Sequence, residues 1–281
     1  MRILVTGGAG FIGSHLMKLL SDNDFEIVSL DDYSSGTKKN EHSNCTYIEG
    51  DISEVSKCGK FDIIFHLAAL SRIQPSFNNP EETYRVNTTG TQQVLEWARL
   101  TNAKVVYAGS SSKWHNPYQS PYAGCKYMGE EICKMYRETY GMNIQIARFY
   151  NVYGPGEILD GDWAAVIGIW RSQIRDGSKL TIVGDGEQRR DFTHVMDIVA
   201  ALERIGFVDN KHQDAWELGS GVSYSINEVY EMFSDRFPNI ESEYLLDQSG
   251  NYRKTLRENN DALQQLGWFP KDRLRDYILN L

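Results

Sequence analysis

The first fifteen residues, MRILVTGGAGFIGSH, constrain the fold more than any other part of the chain. An apolar run from Ile3 to Val5 is followed by glycines at a spacing of three, and apolar residues then return at helical spacing; the glycines are Gly7, Gly10 and Gly13. This pattern predicts a strand, a tight turn and the first turns of a helix. One glycine lets the chain turn, another lets the backbone approach a pyrophosphate, and the third lets the helix pack on the strand. The amide groups at the helix start would then hold the phosphates.

The next predicted strand ends in two carboxylates, which point to a particular dinucleotide. Residues 26–30, EIVSL, are followed directly by Asp31 and Asp32. A carboxylate at this point accepts hydrogen bonds from the adenosine ribose and repels a 2′-phosphate, so the pattern favours NAD over NADP. A glycine turn alone often serves packing only, but its place at the start of a strand–helix–strand pattern favours binding. The predicted cofactor site here comprises Gly7, Gly10, Phe11, Ile12, Gly13, Asp31, Asp32 and Ser35.

Length, charge and cysteine content limit the class of protein. The 281 residues suffice for one large domain, or for a dinucleotide-binding domain with a smaller lobe. The net charge of -9 argues against a nucleic-acid partner and gives no reason to expect an anionic membrane as one. The four cysteines show neither metal-ligand nor disulfide-framework spacing and are interpreted as free thiols. Because the strand that leads into the glycine turn starts directly after Met1-Arg2 and no apolar run is long enough to span a bilayer, we expect a cytoplasmic protein. The cysteine spacing predicts no metal site.

Strands and helices alternate as far as about residue 154. Further strands are predicted at 46–48, 61–67, 104–108 and 143–149, with helices at 84–100 and 122–140. This alternation predicts an α/β fold with a doubly wound parallel sheet, whose ligands bind beyond the carboxyl ends of the strands. At one such end a flat ring or a ribose can lie against Leu67, Ala68 and Ala69. We therefore predict a Rossmann domain over residues 1–154, to which later segments return, and a smaller mixed α/β substrate lobe over 155–281. In that lobe we expect helices at 163–176, from 197, at 226–237 and at 261–266, and strands at 180–183 and 216–218.

One pair of side chains carries the predicted chemistry. Tyr122 and Lys126 are four residues apart, on one face of their predicted helix. A free tyrosine has a pKa of about 10 and is a poor base at neutral pH. An ammonium group one turn away, with the positive nicotinamide ring nearby, would lower that pKa. Tyr122 would then take a proton from a sugar hydroxyl while a hydride leaves the same carbon, with Ser111 orienting the reacting oxygen.

Over nearly its whole length the chain resembles the extended short-chain dehydrogenases/reductases, and among them the NAD-dependent nucleotide-sugar epimerase/dehydratase family. The matching segments are TGGAGFIG at 6–13, GDI at 50–52, HLAA at 66–69, the serines at 110–112, SPYAGCK at 120–126, RFYNVYGP at 148–155, GDGEQRRDF at 184–192 and LGW at 266–268. The resemblance implies that Asp51 and Ile52 contact the adenine side of NAD and that Lys126 binds the nicotinamide ribose. It also implies that Asn151 and Arg190 contact the diphosphate of a nucleotide-sugar, and that helices 84–100 and 122–140 form a four-helix homodimer interface.

The resemblance also separates the reactions within the family. Sugar 4,6-dehydratases and uronate decarboxylases typically carry an acidic residue just after the catalytic serine or threonine, and 3,5-epimerase/reductases carry a cysteine where Ser112 stands. This chain has Ser112-Lys113 there. The remaining cycle oxidises C4 and returns the hydride to the other face of the 4-keto sugar. The expected activity is therefore 4-epimerisation of UDP-glucose/UDP-galactose or a related UDP-sugar, the alternatives being a dehydratase, a reductase or a non-catalytic NAD-sensing scaffold.

Two segments depart from the pattern of 4-epimerases. The segment between Ser111 and Tyr122 is shorter than usual, so the sugar pocket is either more open or closed by another part of the chain. Where an arginine often precedes a Gly-Asp pair and grips the diphosphate, this chain has QSGN at 248–251. Arg253 is the nearest substitute and completes the predicted substrate site.

Two further side-chain groups are expected to be structural. His66 lies inside a predicted buried strand, so we interpret it as a hydrogen-bonded core histidine and not as a base. Trp163 and Trp170 are seven residues apart, two helical turns, and are interpreted as core or interface residues of one helix.

Overall fold

A computed structural model describes residues 1–209 and 212–281. Its main sheet has seven parallel strands: β1 Arg2–Thr6, β2 Glu26–Asp31, β3 Thr46–Glu49, β4 Ile63–His66, β5 Lys104–Ser110, β6 Ile144–Phe149 and β10 Trp216–Leu218. Across the sheet the order is β10-β6-β5-β4-β1-β2-β3. The strand order therefore reverses beside β1, where β2 lies on one side and β4 on the other, and this leaves a crevice at the carboxyl ends. The predicted doubly wound parallel sheet is confirmed.

Helices cover both faces of this sheet. Their bounds are α1 Phe11–Ser21, α2 Ile73–Asn78, α3 Pro80–Tyr84, α4 Thr91–Thr101, α5 Pro121–Tyr140, α6 Val166–Arg175, α7 Val195–Phe207, α8 Ile226–Arg236, α9 Asp261–Gln265 and α10 Leu274–Leu279. One core joins α1 and α7 to the sheet, and the other joins α4 and α5 to its opposite face. Within the described residues, no helix combines the length and the apolar character that a bilayer crossing requires.

The continuous helix expected over 84–100 is interrupted by a π-helical turn at Arg85–Gly90. Inside this wide turn Asn87 is buried, and its side chain accepts from the Leu70 amide at 2.8 Å and donates to the Leu70 carbonyl at 2.9 Å. The turn therefore holds the loop that leaves β4 and borders the crevice. Apolar periodicity did not reveal it, because the extra residue per turn is stabilised by a contact with a distant segment.

The smaller lobe contains the remaining strands: β7 Asn151–Tyr153, β8 Leu180–Val183, β9 Arg189–His194, β11 Ser223–Ser225 and β12 Ser242–Leu245. They form a three-stranded sheet in the order β11-β9-β7 and a two-stranded sheet of β12 and β8. Trp170 lies in the core of this lobe. The expectation of one helix containing both tryptophans was wrong, because α6 begins at Val166 and Trp163 lies in the preceding turn. After this lobe begins, β10 and α7 return to the main sheet and its core.

Candidate active site

The glycine turn is held tightly against the next segments of the chain. Gly7 has a φ of +75°, and a Cβ there would lie 2.8 Å from the Ala68 amide nitrogen. A Cβ at Gly13 would lie 2.0 Å from the Gly7 carbonyl oxygen. Helix α1 begins after Gly10, and no side chain caps its first amides. The turn therefore has the uncapped amides and close backbone approach that a pyrophosphate site requires.

Carboxylates stand at the ends of the neighbouring strands. Asp31 is buried and accepts from the amides of Ala9 and Tyr33, each at 2.8 Å. Its pKa is raised, mainly by burial. Asp51 accepts two hydrogen bonds from Arg85, at 3.0 and 2.8 Å, which hold the pKa of that carboxyl well below its usual range. Asp31 thus joins the glycine turn to the end of β2.

A single cavity of about 700 Å³ brings the predicted residues together. It lies at the carboxyl ends of the main strands and extends towards the smaller lobe. Its walls include Gly7, Gly10, Phe11, Ile12, Gly13, Asp31, Asp32, Ser35, Asp51, Ile52, Leu67, Ala68, Ala69, Ser111, Tyr122, Lys126, Asn151 and Arg190. Cofactor and substrate positions predicted separately from sequence therefore share one space. Among the described residues, no group of three or more His, Cys, Asp or Glu side chains is arranged to hold a metal ion.

Tyr122 lies in the first turn of α5, which Ser120 caps by accepting from the Ala123 amide at 3.1 Å. The Tyr122 hydroxyl donates to Ser110 Oγ at 3.5 Å. The serine against the phenol is therefore Ser110 and not the expected Ser111. Strand β5 continues through Ser110, whereas Ser111 begins a 3-10 turn over Ser111–Trp114, and this difference of one residue decides which hydroxyl meets Tyr122.

The lowering of the Tyr122 pKa was expected from Lys126 together with the nicotinamide ring, whereas the protein groups by themselves raise it. Burial raises the pKa of Tyr122, while the hydrogen bond with Ser110 and the charge of Arg72 act in the opposite direction. Lys126 is itself buried and donates to the Ala108 carbonyl at 3.0 Å. Burial lowers the pKa of the Lys126 ammonium to about 8. The cation whose charge lowers the pKa of Tyr122 in this structure is therefore Arg72, which sequence reasoning did not single out.

A buried ion-pair network fixes α5 relative to the strands. Arg148 of β6 bonds Glu130 of α5 at 2.8 Å and Glu217 of β10 at 2.8 Å. All three side chains are almost completely buried. A Cβ at Gly109 would lie 2.7 Å from Glu130 Oε1, so the helix packs directly on the backbone that precedes Ser110. Removing one partner of such a network would leave a buried charge unpaired, which is costly. The network therefore keeps the face of α5 that carries Tyr122 in register with β5.

The two residues expected at the diphosphate face the same end of the cavity. Asn151 donates to the Asp191 carbonyl at 3.3 Å and to Thr255 Oγ1 at 3.1 Å. Arg190 donates to the carbonyl of Tyr252 at 2.7 Å, and burial lowers its pKa to about 10. No carboxylate of the described chain pairs with Arg190, so its positive charge faces the cavity uncompensated.

The expected substitute arginine lies elsewhere. Arg253 forms a two-pronged ion pair with Asp185, with both bonds at 2.8 Å, and its side chain is 68% exposed. It does not line the cavity. Tyr252, its neighbour, is buried on the cavity side and stacks on His115 with ring centres 3.9 Å apart. The stack places His115, in the shortened segment, against a residue 137 positions away. No local sequence pattern predicts this contact.

His66 is a core residue as predicted. It is buried, and its ring nitrogens lie 2.8 Å from Thr6 Oγ1 and 3.1 Å from Thr91 Oγ1. Burial lowers its pKa to about 3, so the ring is neutral at physiological pH.

Comparison with known proteins places this site in a family. A model of the NAD dependent epimerase/dehydratase family matches residues 3–219. UDP-glucose 4-epimerase of Mycolicibacterium smegmatis is 33% identical over 305 residues, which cover 99% of this chain and 96% of that protein. A UDP-N-acetylglucosamine 4-epimerase from Methanobrevibacter ruminantium, solved with UDP-N-acetylmuramic acid, is 30% identical with a TM-score of 0.90, covering 99% and 96% of the two chains.

A third similar protein has been solved with the cofactor. The UDP-glucuronic acid 4-epimerase of Bacillus cereus, crystallised with UDP-glucuronic acid and NAD, is 26% identical with a TM-score of 0.90, covering 99% and 96% of the two chains. The uncapped glycine turn and the buried Asp31 fit the same cofactor here. The chain therefore belongs to the NAD-dependent epimerase/dehydratase family of nucleotide-sugar enzymes.

Proposed function

We propose that this protein epimerises a UDP-sugar at C4 through a transient 4-keto sugar. The observation that carries the proposal is the Tyr122 hydroxyl, 3.5 Å from Ser110 Oγ in the cavity that the glycine turn also lines. A hydroxyl group fits between two such oxygens at an ordinary hydrogen-bond distance of about 2.8 Å from each. UDP as the nucleotide is supported by the relatives named above, which share it but differ in the sugar.

Each side chain of the site has a separate task in this cycle. Ser110 orients the C4 hydroxyl, and Tyr122 takes its proton and later returns it to the C4 oxygen. NAD, when bound, supplies the hydride acceptor and donor, and Lys126 would hold its ribose. Asn151 and Arg190 hold the diphosphate, which leaves the 4-keto sugar free to present its other face.

The turn after Ser110 supports epimerisation over dehydration. Loss of water needs an acid beside C5 and C6, and residues 110–114, SSSKW, contain none. Lys113 in this turn pairs with Glu131 on the outer side of α5, at 2.6 Å. Nothing contributed by this turn would therefore protonate a leaving hydroxyl at C6.

We also propose a homodimer through α4 and α5. These helices pack on each other and expose apolar side chains on their outer surface, among them Leu100, Met135 and Tyr140. Sedimentation velocity should show a dimer, and Met135→Glu should shift it towards monomer. A wild-type monomer at micromolar concentration would contradict this proposal.

The activity is tested by incubating the NAD-loaded protein with UDP-glucose, UDP-galactose, their N-acetyl forms and UDP-glucuronate, and following products by NMR. Inversion at C4 without net formation of NADH is expected for at least one of them. A stable 4-keto-6-deoxy product would identify a dehydratase, and no turnover despite NAD binding would favour a scaffold. Tyr122→Phe is the control for contaminating activity.

A further inference from the structure

Arg72 lines the cavity and, among the residues that the structure describes, forms no ion pair with a carboxylate. It directly precedes α2 and is half-buried. Its Nε donates to the Trp163 carbonyl at 2.8 Å. Within residues 1–209 and 212–281 its two terminal nitrogens make no hydrogen bond, and Arg72 forms no ion pair with a carboxylate. Arg72 lines the cavity that the substrate would occupy.

Arg72 lies at the reacting end of that space. Helix α2 packs on α5, and Ser76 of α2 accepts from the Tyr122 amide at 3.1 Å. The positive charge of Arg72 is close enough to lower the pKa of the Tyr122 phenol. The diphosphate end is served by a different arginine, Arg190, which bonds the backbone of the smaller lobe. Arg72 therefore lies close to Tyr122, the residue that would act at C4.

The carboxylate whose charge acts on Arg72 already pairs with another arginine. Glu157 is buried and bonds Arg171 at 2.9 Å and Tyr277 at 3.0 Å. With Glu157 paired to Arg171, these three charged groups sum to one net positive charge, carried by Arg72. Burial lowers the pKa of the Arg72 guanidinium. A half-buried guanidinium that pairs with no carboxylate of the described residues gains a partner when a ligand supplies an anion.

We infer that the sugar bears a carboxylate next to C4 and that Arg72 binds it as a specificity-determining residue. This inference rests on the proposed action at C4. In a UDP-hexuronate the carboxylate is attached to C5, the carbon bonded to C4, so it lies beside the hydroxyl that Tyr122 addresses. The two terminal nitrogens of a guanidinium match the two oxygens of a carboxylate in one plane. A neutral hexose would leave these donors unpaired.

The test compares UDP-glucuronate with UDP-glucose, by kcat/KM from NMR and by Kd from calorimetry. A site built for a charged group rejects the analogue that lacks it, so wild type should prefer the uronate by on the order of 100-fold. Arg72→Gln should lower the uronate-to-glucose ratio by on the order of 100-fold, and Arg72→Lys by about 10-fold, because it retains charge without the planar fork. Arg175→Gln, at an exposed arginine of α6 paired with Asp160, is the matched control and should leave the ratio unchanged.

Each alternative has a distinct result. If Arg72→Gln slows both substrates equally and shifts their pH profiles together, Arg72 acts only on Tyr122 and the inference fails. A wild-type preference for UDP-glucose would also overturn it. A third result separates the two proposals. If the uronate binds more tightly and Arg72→Gln abolishes that preference, the carboxylate site is supported. If the product is then a decarboxylated pentose, or no product forms, the proposed epimerisation at C4 is wrong. A UDP-sugar with a carboxyalkyl ether at O3 tests whether Arg72 binds a carboxylate on the C3 side of C4. Tighter binding of this sugar that Arg72→Gln abolishes would equally support the inference.

Discussion

Replacing Ser110 by alanine removes the hydroxyl that lies 3.5 Å from the Tyr122 phenol. In the proposed cycle this hydroxyl orients the C4 oxygen as negative charge develops on it. A hydrogen bond to a charged group contributes about 1.5–3 kcal/mol, which corresponds to roughly a 10- to 150-fold loss of rate. The loss should appear mainly in kcat, because the diphosphate contacts that hold the substrate are untouched. Steady-state kinetics with the best UDP-sugar measures both parameters.

The same substitution should also change the pH dependence. The hydrogen bond with Ser110 lowers the pKa of Tyr122, so its removal raises that pKa further. Since the base form of the phenol starts the reaction, the acid limb of the kcat/KM profile should move to higher pH. Ser110 also accepts from the Ser112 amide at 3.2 Å, and loss of this cap should cost about 1 kcal/mol of stability, measurable by thermal unfolding.

Two variants control this experiment. Ser110→Thr keeps the hydroxyl and should recover most of kcat. Ser111→Ala removes the neighbouring hydroxyl and should cost less than about tenfold, since no transition-state contact is assigned to it. If Ser111→Ala costs as much as Ser110→Ala, or if Ser110→Ala changes only KM, the assignment of the orienting serine is refuted.

Tyr122→Phe should lower kcat by about 10³-fold or more while calorimetry still shows NAD binding, because it removes the proton acceptor without removing the ring; lost NAD binding would contradict this. Lys126→Met should raise the free energy of unfolding at pH 7 by about 2 kcal/mol. Burial lowers the pKa of Lys126 from 10.5 to about 8, so the charged ammonium destabilises the native state at pH 7. Urea titrations should show this gain shrink from pH 8 to 10.5; a constant gain would point to packing. Arg190→Ala should raise KM for the UDP-sugar by on the order of 10- to 100-fold, whereas Arg253→Ala, which breaks only the surface pair with Asp185, should leave KM within about twofold. Equal effects of the two arginines would refute the placement of the diphosphate.

Local patterns in the sequence determined the first strand, the glycine turn and α1, and also α5 with Tyr122 and Lys126 on adjoining turns. These features depend on interactions within a few residues: the freedom of glycine to turn, and the helical repeat that sets side chains four apart on one face. The alternation of strands and helices likewise determined the parallel sheet and the edge at which its ligands bind.

Tertiary structure alone decided which of the adjacent serines meets the phenol, because that depends on where β5 ends against α5. It also brought Arg72 beside Tyr122, turned Arg253 out to Asp185 and stacked His115 on Tyr252. Each of these outcomes joins segments far apart in the chain, whose approach is set by tertiary packing. Periodicity records which face of an element is buried, but not which distant side chain will lie against it.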